Sequence, residues 1–416
     1  MKKLKILLLL ILPFVLYGQD RLLIPMDHSQ TDHLKAYGIA YKVLERGIDV
    51  EWLLNYRGGS FLMDDYPEIE QLCELKGVRF ERVSPAQQAQ IYAEIEENNM
   101  NNVLLEKAPK VAVYIPPYAE PWDDAVALAL EYAEIPYDRI YDEDILKGKL
   151  SEYDWLHLHH EDFTGQYGKF YAAYHNADWY KRQVAVNEEI ARKLGFKKVT
   201  QLKLAVAKRI KEFVRRGGFL FAMCSAPATL DIALAAEGID IAGRVYDGDP
   251  YDPDANSKLD YSKTLAFTDF KLKLNPFEYE HSDIDVTREA YLRGPNTYFS
   301  LFDFSAKFDP VPTILTQNHT SVIKEFLGQD TGFRRSKIKK NVIIMAEVKG
   351  TDEVKYLYGN YGKGFFSFLG GHDPEDYQHF VGDPPTDLRL HKNSPGYRLI
   401  LDNVLFPAAK KQKLKT

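Results

Sequence analysis

Gly217-Gly218-Phe219-Leu220-Phe221-Ala222-Met223-Cys224-Ser225-Ala226-Pro227 decides how this chain is read. The apolar run from Phe219 to Met223 reads as a buried strand, and Ala228 to Ala236 (ATLDIALAA) reads as a helix. Between them stands Cys224, one of two cysteines in 416 residues. A strand-to-helix turn at the end of a parallel sheet presents a nucleophile with the amides of the next helix beneath it. Those amides hold a developing oxyanion, and the helix N-terminus favours thiolate over thiol. The competing reading is a small buried hydrophobe, the usual state of a free cysteine.

The partners of such a nucleophile are sought among the eleven histidines, four of which fall in 157–175 and three in 372–391. In Trp155-Leu156-His157-Leu158-His159-His160-Glu161-Asp162, strand alternation puts His157 and His159 on one face, with His160 and Glu161 at the strand's carboxyl end. Open α/β sheets keep their sites at that end. His159, His160 and Glu161 are therefore candidate substrate-binding residues. A His-x-His pair with a nearby carboxylate also suits zinc, so His157, His159 and Glu161 form an alternative metal set. In Leu369-Gly370-Gly371-His372-Asp373-Pro374-Glu375, His372 follows an apolar strand and can serve as the base for Cys224, with Glu375 as a carboxylate to orient the ring. Asp247 to Asn256 (DGDPYDPDAN) has carboxylates but not EF-hand spacing, and reads as a solvated acidic loop. No phosphate-binding glycine loop is present, so no nucleotide or other cofactor is implied.

Strands alternate with helices on either side of the cysteine strand. Residues 110–115, 137–141 and 155–159 read as strands, 122–133 and 178–216 as helical regions, and 341–348 and 364–369 as further strands. This alternation implies an α/β fold with a mainly parallel sheet covered by helices on both faces. A β-α-β unit precedes it, with strands at 21–25 and 50–54 around a helix from Thr31 to Arg46. Lys107-Ala108-Pro109 separates an N-terminal unit (19–108) from the main domain (109–408), and residues 247–340 read as a loop-rich insertion with short antiparallel strands. A last helix starts at Ser394 as cap and Pro395 in the first turn, and stops before Pro407.

The start of the chain has its own reading. Met1-Lys2-Lys3-Leu4-Lys5, an apolar run from Ile6 to Tyr17 and then Gly18-Gln19 form a secretory signal peptide cleaved after Gly18. The run is short for a membrane span. The mature protein is expected to be periplasmic or secreted. Removing three of the 53 lysines and arginines leaves 50 against 60 acidic residues, moving the net charge from −7 to −10. That balance excludes nucleic acid as an expected partner. Cys73 sits on a helical face with Ile69 and Leu72, which makes it a packing residue, and a Cys73–Cys224 disulfide is the less favoured state of the two thiols.

With these residues laid out, 110–408 resembles the class I glutamine amidotransferase-like superfamily, which includes the ThuA-like proteins. The resemblance implies a flavodoxin-like sheet with Cys224 as the elbow nucleophile. It also sets His372 and Glu375 near the family's His-Pro-Glu dyad. Here the order is His-Asp-Pro-Glu, one residue longer, and His157-Leu158-His159-His160 stands where the family has a glycine-rich oxyanion strand. The whole chain looks like a group of exported Bacteroidetes proteins labelled asparagine synthetase B. The residues argue against that activity, since Lys2 follows the initiator and no Ser-Gly-Gly-x-Asp-Ser loop is present.

Three functions stay open on this evidence. The first is an exported hydrolase-like enzyme acting on an amide, ester or glycan-derived small molecule. The others are a sugar- or peptide-binding protein on the same fold, and a metal-dependent enzyme. The export reading is checked by intact-mass measurement on protein from its native host. The mature chain should begin at Gln19, and soluble cytoplasmic protein retaining Met1 would contradict it.

Overall fold

The computed structural model describes residues 20–409, so the signal-peptide expectation for 1–18 lies outside the described residues. Strands β1 (Arg21–Ile24), β2 (Val50–Leu54), β3 (Ser60–Asp64), β4 (Glu81–Val83) and β5 (Asn101–Leu105) build a first sheet in the order β4-β1-β3-β2-β5. Each neighbouring pair is antiparallel. β1 and β2 run in the same direction around helix His33–Glu45, as the sequence suggests, but β3 is inserted between them. The β-α-β unit is thus split.

The second sheet has ten strands: β6 (Val111–Tyr114), β7 (Asp138–Ile140), β8 (Trp155–Leu158), β9 (Phe219–Met223), β10 (Tyr298–Leu301), β11 (Val322–Lys324), β12 (Phe333–Arg334), β13 (Ile343–Glu347), β14 (Glu353–Tyr361) and β15 (Gly364–Leu369). Their order is β11-β10-β13-β14-β15-β9-β8-β6-β7, with β12 added on β14. From β7 to β15 the pairing is parallel. Beyond β15 it is antiparallel, so the sheet is mixed and only its site-bearing half is parallel. β14 carries much of that change. Its sequence, EVKYLYGNY, has a lysine and an asparagine inside it, which hid a nine-residue strand from an apolar-run reading.

Strand alternation divides the core. Val111, Val113, Trp155, Phe219, Phe221 and Met223 face one layer, while Ala112, Tyr114, Leu156, Leu158, Leu220 and Ala222 face the other. The second layer is closed by helices Asp178–Lys193, Val199–Arg216 and Ala226–Ala235. The expected helical region from 178 to 216 is two helices, broken at Gly195, whose φ of 83° ends the first turn of chain after Lys193. The first layer is closed by helices Ala125–Ala133 and Pro395–Leu405 together with His33–Glu45 from the N-terminal unit. Gly38 makes that contact close. A Cβ there would lie 1.9 Å from the Ala133 carbonyl oxygen. Lys107-Ala108-Pro109 does separate the two sheets, yet one apolar cluster runs through both units.

Arg398, fully buried, ties the units together. Its guanidinium donates to the carbonyls of Met26 at 3.0 Å and Gly58 at 2.8 Å, and to the Tyr37 hydroxyl at 3.3 Å. Arg398→Met keeps the volume but leaves the Gly58 carbonyl unpaired and takes a partner from the Met26 carbonyl and the Tyr37 hydroxyl, a loss of about 3 kcal/mol. The measurement is the shift in urea midpoint. A midpoint within error of wild type would show that apolar packing alone holds the units together.

Candidate active site

Paired registers bring the chemistry to one edge of the sheet. Leu158 is opposite Ala222, and Met223 is opposite Leu369, so β8, β9 and β15 end together. The residues that follow are His159-His160-Glu161, Cys224 and Gly370-Gly371-His372. This is where the sequence pattern located its candidates.

Cys224 adopts φ of +52°, a left-handed conformation that costs an L-residue about 1–2 kcal/mol. The turn from β9 into helix Ala226–Ala235 needs it, and the surrounding packing enforces it. The Sγ atom accepts the Gln329 amide at 3.3 Å. That donor comes from the insertion. The loop carrying Gln329 is anchored from below. The Lys355 ammonium, fully buried, is paired with Glu325 and donates to the carbonyls of Phe326 and Thr331, both at 2.7 Å. Burial pushes the Cys224 thiol up to about 12, against the amides of Gln329, Asp330 and Ser225 that favour thiolate. The lowered thiol pKa expected from the helix N-terminus is therefore overturned, and Cys224 rests as a neutral thiol. Cys73 is also a free thiol, and no disulfide links it to Cys224.

His372 is held by its own amide, which donates to the Leu327 carbonyl at 2.9 Å. Its ring stands in a chain of groups. Asp124 caps helix Ala125–Ala133, accepting the amides of Val126 at 2.8 Å and Ala127 at 3.0 Å. The same Oδ1 lies 3.2 Å from His159 Nδ1, and His159 Nε2 lies 3.2 Å from His372 Nδ1. Although burial opposes it, the histidines His157 and His159 beside Asp124 hold its carboxyl well below the usual range. Burial drives His159 down to about 4, and His372 well below its ordinary value, so both rings are neutral near pH 7. The tautomers then follow from the geometry. A carboxylate only accepts, so His159 carries its proton on Nδ1, and its Nε2 accepts from the Nδ1–H of His372. His372 Nε2 is left with a lone pair. That atom is buried and has no hydrogen-bond partner among the described residues.

Glu375 is not part of this chain. Its carboxylate pairs with His391 Nδ1 at 2.9 Å. The extra residue Asp373 explains the difference: its Oδ1 takes the Glu375 amide at 2.8 Å, and its Oδ2 takes the Tyr397 hydroxyl at 2.8 Å. The carboxylate behind the histidines is Asp124, from a different strand end. An acid at the start of a helix suits the helix dipole whatever else it does, and nothing in the local pattern connects Asp124 with a histidine 35 residues away.

The other candidates lie beside these. His160 Nε2 meets Glu120 at 2.8 Å; burial disfavours its charged ring, but Glu120 overrides this and raises it to about 9. Glu161 folds back to accept the His159 amide at 2.7 Å, and burial pushes its carboxyl up to about 8. His157 donates Nδ1–H to the Phe221 carbonyl at 3.2 Å and has Nε2 3.5 Å from Asp124. The alternative metal set His157, His159 and Glu161 is therefore not assembled. The metal-capable groupings are His159-His160-His372, Asp124-His157-His159, Asp123-His372-His379 and Asp376-His379-Asp383 among the described residues. His379, which the sequence reading passed over, stacks on His372 with centroids 4.6 Å apart and is bonded to Asp376 at 2.9 Å.

Cys224, His160, His372 and His379 line one cavity of about 390 Å³. Its other walls include Trp122, Phe170, Tyr279 and Phe380, with Glu280 and Arg288 as charged members. No helix among the described residues is long and apolar enough to cross a membrane.

No family model matches the chain, and no curated protein matches it. Solved structures with some likeness include a cytoplasmic protein of Salmonella typhimurium, 12% identical, with a TM-score of 0.36 over 73% of this chain and 100% of that one. Another cytoplasmic protein, from Salmonella typhimurium LT2, is 14% identical, with a TM-score of 0.34 over 70% of this chain and 89% of that one. A catalytic mutant of a GH42 beta-galactosidase from G. stearothermophilus is 13% identical, with a TM-score of 0.23 over 64% of this chain and 28% of that one. At these scores the likeness assigns neither family nor activity.

A thiol pushed up this far has a measurable signature. Labelling of Cys224 by iodoacetamide should be slow at neutral pH and rise about tenfold per pH unit up to about pH 10 without levelling, because only the thiolate reacts. A plateau below about pH 9 would contradict a neutral resting thiol.

Proposed function

We propose that this chain is an exported hydrolase-like enzyme that uses Cys224 as nucleophile and His372 as general base on a small amide, ester or glycan-derived substrate. The observation that carries this reading is the Asp124–His159–His372 hydrogen-bond chain, which leaves Nε2 as a buried, unpartnered acceptor on His372, a residue that lines the same cavity as Cys224. The parallel strands run β7-β6-β8-β9-β15, the flavodoxin-like order, and support the resemblance to the class I amidotransferase-like group. The cavity volume suits a small molecule rather than a polymer chain.

The chemistry resembles a serine–histidine–aspartate system more than a thiolate–imidazolium pair. As Sγ attacks the acyl carbon, the thiol proton passes to His372 Nε2. The imidazolium formed is stabilised through His159 by the Asp124 carboxylate. It then returns the proton to the leaving group, giving a thioester on Cys224. Water, losing a proton to the same Nε2, attacks the thioester, and the proton goes back to Sγ. The Gln329 amide keeps Sγ oriented between these steps.

Acylation by p-nitrophenyl acetate, followed by peptide mass spectrometry, tests the assignment. Wild type should be acetylated at Cys224, and His372→Ala should slow that step by at least about 100-fold, the usual worth of a positioned base. Glu375→Gln should match wild type, because that carboxylate serves His391. Equal rates in wild type and His372→Ala would overturn the pairing.

A further inference from the structure

Three of the site's histidines carry features that proton transfer alone does not use. One ring nitrogen from each of His159, His160 and His372 lies within 4.8 Å of the other two. The 3.2 Å between His159 Nε2 and His372 Nδ1 is a hydrogen-bond length. It is also close to the roughly 3.3 Å edge between two nitrogens bound at ~2.0–2.1 Å around a tetrahedral ion. Two of the rings are already oriented as ligands are. His159 gives its other nitrogen to Asp124 and His160 gives its Nε2 to Glu120, the carboxylate–histidine arrangement that orients a ligating ring. His160 Nδ1 is buried and has no partner among the described residues. His160 and His372 line the cavity, which supplies an entry path and room for a fourth, exchangeable ligand.

We propose that His159, His160 and His372 bind one divalent transition-metal ion of the zinc class, and that this ion switches off the base that serves Cys224. Three imidazole nitrogens suit zinc, cobalt or nickel and not magnesium or calcium, which prefer oxygen; His160, held charged near pH 7 by Glu120, gives its Nδ1 proton to solvent as its metal bond forms. The half-buried carboxylates of Asp124 and Glu120 offset the ion's charge. Binding breaks the His372 Nδ1–H···Nε2 His159 hydrogen bond and forms a metal bond at each nitrogen. The proton of His372 moves from Nδ1 to Nε2, so the ring stays neutral and no proton is released from it. The Nε2 lone pair is then occupied and cannot take the Cys224 proton. The regulatory consequence rests on the proposed thiol mechanism, whereas the binding site stands on geometry alone.

The experiment titrates chelator-treated, full-length mature protein with Co²⁺ and follows visible absorption, then displaces the cobalt with Zn²⁺. One ion per chain with an intense four- or five-coordinate spectrum is expected. His160→Gln and Glu120→Gln should each weaken binding by about 10-fold or more, with melting temperatures recorded to show that both fold. Cys224→Ser should bind cobalt as wild type does. Zinc at saturation should slow Cys224 acetylation to the rate of His372→Ala. A weak six-coordinate spectrum, or equal affinity in wild type and both variants, would overturn the site. A thiolate-to-cobalt band lost in Cys224→Ser would overturn it too, by moving the ion onto sulfur. Cobalt binding without any acetylation of Cys224 would leave the metal site and remove the thiol mechanism; the reverse result would do the opposite.

Discussion

The Asp124 carboxylate is the contact on which the site depends. One oxygen accepts two amides at the start of helix Ala125–Ala133 and faces His159. Anchoring by backbone amides makes this carboxylate a fixed acceptor, and a fixed acceptor dictates where His159 holds its proton. His159 in turn dictates the tautomer of His372. A chemical property of a residue at the end of β15 is therefore set by a helix cap at the other side of the parallel sheet. The helix must be where it is for this to work, and its position follows from the close approach of Gly38 to Ala133. In this way the N-terminal unit, which contributes no side chain to the cavity, has a part in the chemistry.

A second constraint is the price of the left-handed Cys224. The conformation is unfavourable for a residue with a Cβ, and it persists because β9 is fully buried and helix Ala226–Ala235 is buried along its whole length. The insertion completes the arrangement. Lys355, buried under the loop with Glu325, satisfies two of its carbonyls and keeps the Gln329 amide on Sγ. Gly328 allows that loop to lie against His372, since a Cβ there would come within 2.7 Å of the His372 nitrogen.

The strand–cysteine–helix segment was legible because a run of five apolar residues after two glycines, closed by Cys-Ser-Ala-Pro, has few other readings. His372 was legible for the same reason, at the end of GFFSFL. The parts that were not legible depend on distance in the chain. Asp124 looks like any acid in the first turn of a helix until the fold brings it to His159. Glu375 looked like an orienting carboxylate because of its spacing, and Asp373 redirects it by taking its amide. The long antiparallel strand β14 was obscured by the polar residues within it, and β3 is inserted between β1 and β2 by pairing that no local pattern encodes. Direction of the Cys224 shift was misread because the helix N-terminus is a local feature, whereas burial, which wins, is a property of the whole fold.

The same histidine geometry supports either proton transfer or metal binding, and the position of one hydrogen distinguishes them. The most direct measurement is nitrogen NMR of the His372 ring in metal-free protein near neutral pH. The account requires a neutral ring protonated at Nδ1 with an unprotonated Nε2. A neutral ring protonated at Nε2 would mean that the Asp124–His159 chain does not set the tautomer, and would contradict the assignment of His372 as the base.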